Sequence, residues 1–258
     1  MGQEHYLQTS PEFFLKRLLC AHHSDIYSLA KVFRQGEKGH RHQPEFTLLE
    51  WYRVAWDEHQ LMDEVITLVR QFLPKIGVLK WSYRELFQRY LHCDPHILDA
   101  SDLKAIAQSN IDADISGASE LDKNGWLDIL MTHCIEPQLP MQLVVIYDYP
   151  ASQAALAQLG RDAHGHKIAR RFEVYLNRVE LANGYFELTD AREQQRRFEQ
   201  DQQYRRRHDL ADVPYDEQLV AALHSGMPAC AGVALGVDRL LMQLCKQESI
   251  NAVMSFAH

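Results

Sequence analysis

The 258-residue sequence predicts an α+β fold in which an antiparallel sheet is flanked by helices. Three observations carry that expectation. Residues 26–33 and 46–54 are β-rich runs on either side of a cationic stretch, as in a long hairpin. Arg171-Phe-Glu-Val-Tyr-Leu176 and Val179-Glu-Leu-Ala-Asn183 flank the dipeptide Asn177-Arg178, as in a tight hairpin. Around these pairs lie amphipathic helical patterns with no regular βαβ alternation.

The elements follow in order. Ser10-Pro11-Glu12 supplies an N-cap residue, a proline suited to a first turn and an acid near a helix N-terminus. Phe13, Phe14, Leu18 and Leu19 continue at helical spacing to about His22. After the first strand pair, Leu61, Met62, Val65, Ile66, Val69 and Phe72 fall on one face of a helix. Ser82-x-x-Glu85 is a capping box that opens another, to about Leu91. Residues 94–124 are polar and mixed, which predicts short helices and loops. Trp126–Ile135 returns to helical spacing, and Gln142–Tyr147 reads as a buried strand before the tight hairpin. Thr189 is expected to cap a long charged helix reaching Arg207. Leu219–Leu223 belongs to a helix stopped by Gly226 and Pro228. Ala231-Gly-Val-Ala-Leu-Gly236 is a small-residue strand running into a helix over Val237–Cys245. No repeat or linker interrupts the chain, so one domain is expected.

The formal net charge of −8 argues against broad nucleic-acid binding through a global positive field. Five scattered cysteines without a C-x-x-C pair disfavour a disulfide framework or a zinc ribbon and suit a reducing cytoplasm. The longest apolar run, Leu143–Tyr147, is far too short to span a bilayer. The N-terminus has no basic region followed by an apolar core, and Tyr6 stands where myristoylation at Gly2 would want Ser or Thr. A cytoplasmic protein with no membrane partner is expected.

Three segments hold groups suited to chemistry. Arg34, Lys38, His40, Arg41 and His42 crowd one loop of an acidic chain. Such a loop is either a solvated hairpin tip or a clamp for an anion, since a guanidinium at a strand end can hold a phosphate in bidentate fashion. Glu180 and Glu187 bracket a glycine; two such carboxylates either hold Mg2+ against phosphate oxygens, attract an ammonium group, or face solvent. Gly232 and Gly236 allow a backbone or a planar ligand to lie against their strand, or simply allow tight packing, with Arg239 in the first turn beyond.

In order, Phe33-Arg34, Pro44-Glu-Phe-Thr-x-Leu-Glu-Trp-Tyr52, Glu180-Leu-Ala-Asn-Gly-x-x-Glu-Leu-Thr-Asp-Ala191 and Gly232-Val-Ala-Leu-Gly-Val-Asp-Arg-Leu240 resemble class II aminoacyl-tRNA synthetases of the lysyl type. The chain looks closer still to the stand-alone paralogues that ligate (R)-β-lysine to elongation factor P. Thr9-Ser-Pro-Glu12 and Phe172-Glu-Val-Tyr175 fit the same pattern, so the resemblance covers nearly the whole chain. It implies that the cationic loop is an ATP clamp, with Arg34 on the α-phosphate and Arg239 on the γ-phosphate. Gln35, Gly36 and Gln43 fall at ATP-contacting positions, Gly236 against the nucleotide, and Glu180 with Leu181 at the ATP and Mg2+ site. Glu187 is the second candidate metal ligand. Ser10, Pro11, Glu12, Tyr52 and Glu187 match the pocket for lysine or β-lysine, where carboxylates and a phenol receive ammonium groups.

Two departures from the family stand out. Its second motif continues F-R-x-E, whereas here Phe33-Arg-Gln-Gly36 is followed by Glu37. The loss of that carboxylate should weaken nucleotide contacts unless Glu37 replaces it. The sequence also starts just before Thr-Ser-Pro-Glu, so the expectation is a catalytic domain over residues 1–258 that lacks the first motif, the dimer-forming helix and strand, and any anticodon-binding domain. A homodimer stays open, and tRNA is a disfavoured partner. The alternatives are a minimal lysyl-tRNA synthetase and a catalytically weak module that binds lysine or a nucleotide.

Overall fold

The structure is a computed structural model and describes residues 6–111, 121–211 and 213–257. Gly2 and part of the polar stretch 94–124, namely residues 112–120, lie outside the described residues. The chain forms two compact units, one made of the residues up to Leu61 and from Tyr185 onward, the other of Met62–Gly184.

The first unit opens with helix α1 (Glu12–His22), followed by strands β1 (Ile26–Phe33) and β2 (Glu45–Val54). β1 and β2 pair antiparallel, with Ile26 opposite Tyr52 and Val32 opposite Phe46. The cationic stretch therefore joins two strands, as the residue pattern predicts. Helix α2 (Glu58–Phe72) begins in this unit and continues into the second. Its start is fixed by a reciprocal cap: Asp57 Oδ1 accepts from the Gln60 N–H at 2.9 Å, and Gln60 Oε1 accepts from the Asp57 N–H at 3.0 Å.

In the second unit, strand β3 (Val78–Ser82) leads into α3 (Tyr83–Leu91), opened by the Ser82/Glu85 capping box. Helix α4 (Ala100–Asn110) has its own capping box, Asp99 with Asp102, and α5 (Lys123–Leu130) runs into a π-helical turn over Met131–Ile135. Strands β4 (Leu143–Pro150), β5 (Leu159–Arg161) and β6 (Lys167–Leu176) follow. β6 pairs antiparallel with both β4 and β5. The pair β3–β4 is parallel, so the sheet is mostly rather than wholly antiparallel. Neither β3 nor β5 was expected: β3 is five residues ending at a capping box, and β5 is three. Strand β7 (Val179–Phe186) completes the hairpin with β6. Asn177 and Arg178 have φ of 50° and 69°, the mirror-image turn that matches strand twist. Trp126, Leu127 and Leu130 pack with Tyr83, Leu86 and Phe87 over Val144, Ile146 and Tyr175, all buried.

β7 carries the chain back into the first unit, where α6 (Ala191–Arg207), α7 (Glu217–Ser225), β8 (Cys230–Gly236) and α8 (Val237–Leu244) complete it. β8 pairs antiparallel with β2, placing Ala234 opposite Glu50 and Gly232 opposite Tyr52. Leu15 and Leu19 of α1 pack with Leu219 and Leu223 of α7 over Tyr52 and Cys230. The cap of α6 is Asp190, not the expected Thr189: its carboxylate accepts the N–H groups of Arg192 at 2.8 Å and Glu193 at 3.0 Å. A carboxylate at this end also opposes the helix dipole, which a hydroxyl does not. Among the described residues no helix is long and apolar enough to cross a membrane.

α6 buries only Ala191 and Gln194, so its start depends on that cap. Asp190→Ala is expected to cost about 1 kcal/mol, read as a lower urea midpoint at unchanged slope. A midpoint equal to wild type would show that the helix is fixed by other contacts.

Candidate active site

The two ends of the first unit's sheet hold two groups of opposite charge. At the neck of the cationic loop the Arg34 N–H donates to the Pro44 carbonyl at 2.8 Å, and Gly39 pairs with His42 across the tip. Arg34 Nε donates to the Thr9 carbonyl at 3.2 Å, and its guanidinium lies 5.1 Å from the Phe46 ring centroid. Arg239, in the first turn of α8, donates through Nε to the Arg41 carbonyl at 3.2 Å. The Asp238 carboxylate accepts the Thr47 N–H at 2.5 Å, tying the start of α8 to β2. Burial and then Arg239 push His42 below its ordinary range; Arg41 and Arg34 act the same way and Glu37 opposes them. Arg34, Arg41 and Arg239 thus act on one imidazole, a local positive field on an acidic chain.

Other nucleotide candidates have distinct settings. Gln35 and Gly36 are exposed, and Gly36 has φ of 84°. Glycine there answers a backbone need, and a glutamate would sit in a left-handed conformation. The Glu37 carboxylate lies 3.6 Å from the Arg34 guanidinium. Gln43 is buried, and its side-chain amide donates to Asn251 Oδ1. At Gly236 a Cβ would touch the Arg239 side chain only at an ordinary 3.7 Å.

The second group gathers carboxylates. Ser10 Oγ donates to Glu50 Oε1 at 2.6 Å and accepts the Glu12 N–H at 3.0 Å. Pro11 between them is buried. Lys16, 1% exposed, places Nζ 2.6 Å from Glu12 Oε1 and 2.7 Å from Glu187 Oε2. Burial works against the Lys16 ammonium, but Glu12 and Glu187 outweigh it and hold the group above its ordinary value. Burial pushes Glu50 up to about 7 despite the Ser10 hydrogen bond, and pushes Glu187 up to about 7 against the pull of Lys16. Tyr52 is buried among them, its phenol raised by burial and then by Glu12 and Glu187. Gly232 completes the wall. A Cβ there would lie 2.3 Å from Glu187 Oε1 and 2.4 Å from the Tyr52 ring. The close approach expected of this glycine is made by side chains of the chain itself.

Glu180 and Leu181 belong to the second unit. Leu181 is buried, and Glu180 lines a cavity of about 200 Å³ with Glu136, Arg171, Glu173, Tyr149 and Tyr175. Arg171 pairs with Glu173, whose other oxygen accepts the Tyr175 hydroxyl at 2.7 Å. Among the described residues no three His, Cys, Asp or Glu side chains are grouped to hold a metal ion. Mg2+ asks for less, since it takes one or two carboxylates and leaves its other positions to phosphate and water. The hard oxygen donors of Glu180 and its cavity neighbours fit that requirement. Glu187 in the first unit is instead paired with Lys16.

Lys16, Glu50 and Glu173 were not singled out from sequence. Lys16 lies four residues after Glu12, hence on the same helix face, and Glu50 lies two before Tyr52, hence on the same sheet face. Those spacings were the available signal.

The family described as tRNA synthetases class II (D, K and N) matches residues 1–258. The chain belongs to this class II synthetase family. It is 44% identical over 256 residues to proteins named elongation factor P--(R)-beta-lysine ligase from Salmonella paratyphi B and Salmonella schwarzengrund. Each alignment covers 99% of this chain and 78% of the relative.

Gly232→Ala is expected to displace Tyr52 or Glu187 at an overpacking cost of about 1–3 kcal/mol. Affinity for a diamino acid should fall about tenfold or more; unchanged calorimetric affinity would refute this placement. Stability should also follow pH. The Glu50 carboxyl lies at about 7 against an ordinary 4.5, so the folded state favours its protonated form. That contribution is full below about 4.5 and is lost as pH rises through about 7, amounting to at most about 3 kcal/mol. Glu50→Gln should reduce the decline in urea-unfolding free energy between these limits, with Glu187 supplying the remainder. A decline as steep as wild type would contradict it.

Proposed function

We propose that this protein uses ATP to activate lysine or (R)-β-lysine as an aminoacyl adenylate and transfers the acyl group to a lysine of elongation factor P. The observation that carries the reading is that one compact unit holds both Glu12, Glu50 and Glu187 around Tyr52 and the guanidinium pair Arg34 and Arg239. A diamino acid has two ammonium groups that need carboxylates and one carboxylate that must react at a phosphate. The matched family and the names of the relatives support the same reaction.

In that reaction a substrate carboxylate oxygen attacks the α-phosphorus of ATP, and the bond to the leaving pyrophosphate breaks. Arg34 stabilises charge on the α-phosphoryl oxygens and Arg239 holds the far end of the triphosphate. Mg2+, when bound with ATP, would neutralise phosphate charge. Glu187 is assigned to the substrate ammonium. The neutral amine of the acceptor lysine then attacks the acyl carbon, AMP leaves, and the amine sheds its proton. No side-chain nucleophile is required, and His40 and His42 have no part in this scheme. We read the matched residues 1–258 as the catalytic domain, working in the cytoplasm, where free thiols such as those of the five cysteines persist.

The test is incubation with ATP, labelled lysine or β-lysine, elongation factor P and tRNA together. Label is expected on elongation factor P, falling as salt rises if charge steers the encounter. Label mainly on tRNA would establish a minimal synthetase instead, and label on neither, with no pyrophosphate exchange, a binding module.

A further inference from the structure

Lys16 has no place in the reaction just described, yet it occupies the centre of the carboxylate cluster proposed to receive the amino acid. Its ammonium contacts Glu12 Oε1 and Glu187 Oε2, and so takes one oxygen of each carboxylate assigned to the substrate. Glu187 is fixed from the other side as well. Its Oε1 lies against the Cα of Gly232, where even a methyl group would collide. Glu12 stands one helical turn before Lys16 on α1, while Glu187 arrives from the end of β7. One buried cation therefore sets the spacing between carboxylates from two elements.

Such an arrangement is costly as a device for stability alone. A buried ion pair is often matched or exceeded in stability by apolar residues of similar volume. The pocket's charge gives the arrangement another meaning. Glu12, Glu50 and Glu187 supply three carboxylates, and Lys16 supplies one ammonium. Tyr52, Cys20 and Cys230 also face this centre, and burial keeps all three neutral by raising them. With all three carboxylates ionised, as they would be beside a bound cation, the remainder is two negative charges. Lysine and β-lysine bring two ammonium groups.

We infer that Lys16 is a positioning residue that sets amino-acid specificity: it pins Glu12 and Glu187 apart and trims the pocket's charge to fit a diammonium substrate. The inference rests on the ligase reading and deepens it. A lysine with only a structural role would change the melting temperature and leave substrate discrimination alone.

The experiment compares adenylate formation from lysine, β-lysine and norleucine, which lacks the side-chain ammonium. In Lys16→Met, KM for the two diamino acids is expected to rise about tenfold or more while kcat changes far less, the signature of lost uniform binding. The preference for lysine over norleucine should shrink by about the same factor. Because Lys16→Met leaves two buried carboxylates unbalanced, the double variant Lys16→Met/Glu12→Gln is made beside it. It removes one charge of each sign and so leaves the net charge of the cluster as it is in the wild type, but Glu187 still loses its anchor. Its preference for lysine should also be low. Either variant, folded and with wild-type preference for lysine, overturns the inference while leaving the ligase reading intact. A wild-type protein that forms no adenylate from any of these amino acids overturns both.

Discussion

A buried ammonium needs anionic partners, and in this chain that requirement organises the carboxylate-rich end of the first unit. Lys16 lies on the inward face of α1, so α1 must present Glu12 beside it, and the chain leaving β7 must deliver Glu187 to the same point. Glu187 in turn excludes any side chain at position 232, and the vacancy admits the Tyr52 ring. A helix, two strands and a strand exit are thereby fixed to one another through a few ångströms of polar contact. Leu15, Leu19, Leu219 and Leu223 supply the apolar burial around it. The apolar groups drive burial and the polar ones select the arrangement.

The opposite end depends on backbone geometry. Arg34 is placed by the first hydrogen bond past the β1–β2 ladder, and Arg239 by the abrupt change from strand β8 to helix α8. The loop tip adds one contact, the Arg41 carbonyl that accepts from Arg239 Nε. The net charge of −8 predicts nothing about this field, because a few guanidiniums within reach of His42 outweigh charges spread over the rest of the surface.

Legibility in the sequence followed the range of the interactions. Local signals are legible where the responsible atoms are a few residues apart: the Ser82/Glu85 box and the Asn177-Arg178 turn. The start of α1 differs by one residue from the expectation, since Pro11 rather than Ser10 is the N-cap and the Ser10 hydroxyl donates to Glu50. Thr189 was preferred to Asp190 although both are capping residues, since the choice turns on which one takes the extended conformation before the first turn. β3 was missed because a short parallel strand derives its stability from the partner β4, which lies some sixty residues away. The site shows the same division. Glu12, Tyr52, Glu187, Arg34 and Arg239 were flagged by motif, and the structure brings them into two clusters. Gly232 and Gly236 looked alike in sequence, yet only the first is pressed by neighbouring side chains, a difference made by residues far away in the chain. Lys16 looked like an ordinary helix lysine because its partner Glu187 is 171 positions further on.

The elevated carboxyls at Glu50 and Glu187 would also tie the abundance of folded protein to any cation that binds them. An empty pocket at neutral pH holds carboxyl groups whose ionisation opposes folding. A ligand cation that pairs with them relieves that opposition, and any species that binds only the native state shifts the folding equilibrium toward it by mass action. Occupancy and thermal resistance are then two readings of one equilibrium. A melting curve followed against amino-acid concentration becomes a binding isotherm, with no need for ATP, acceptor or turnover.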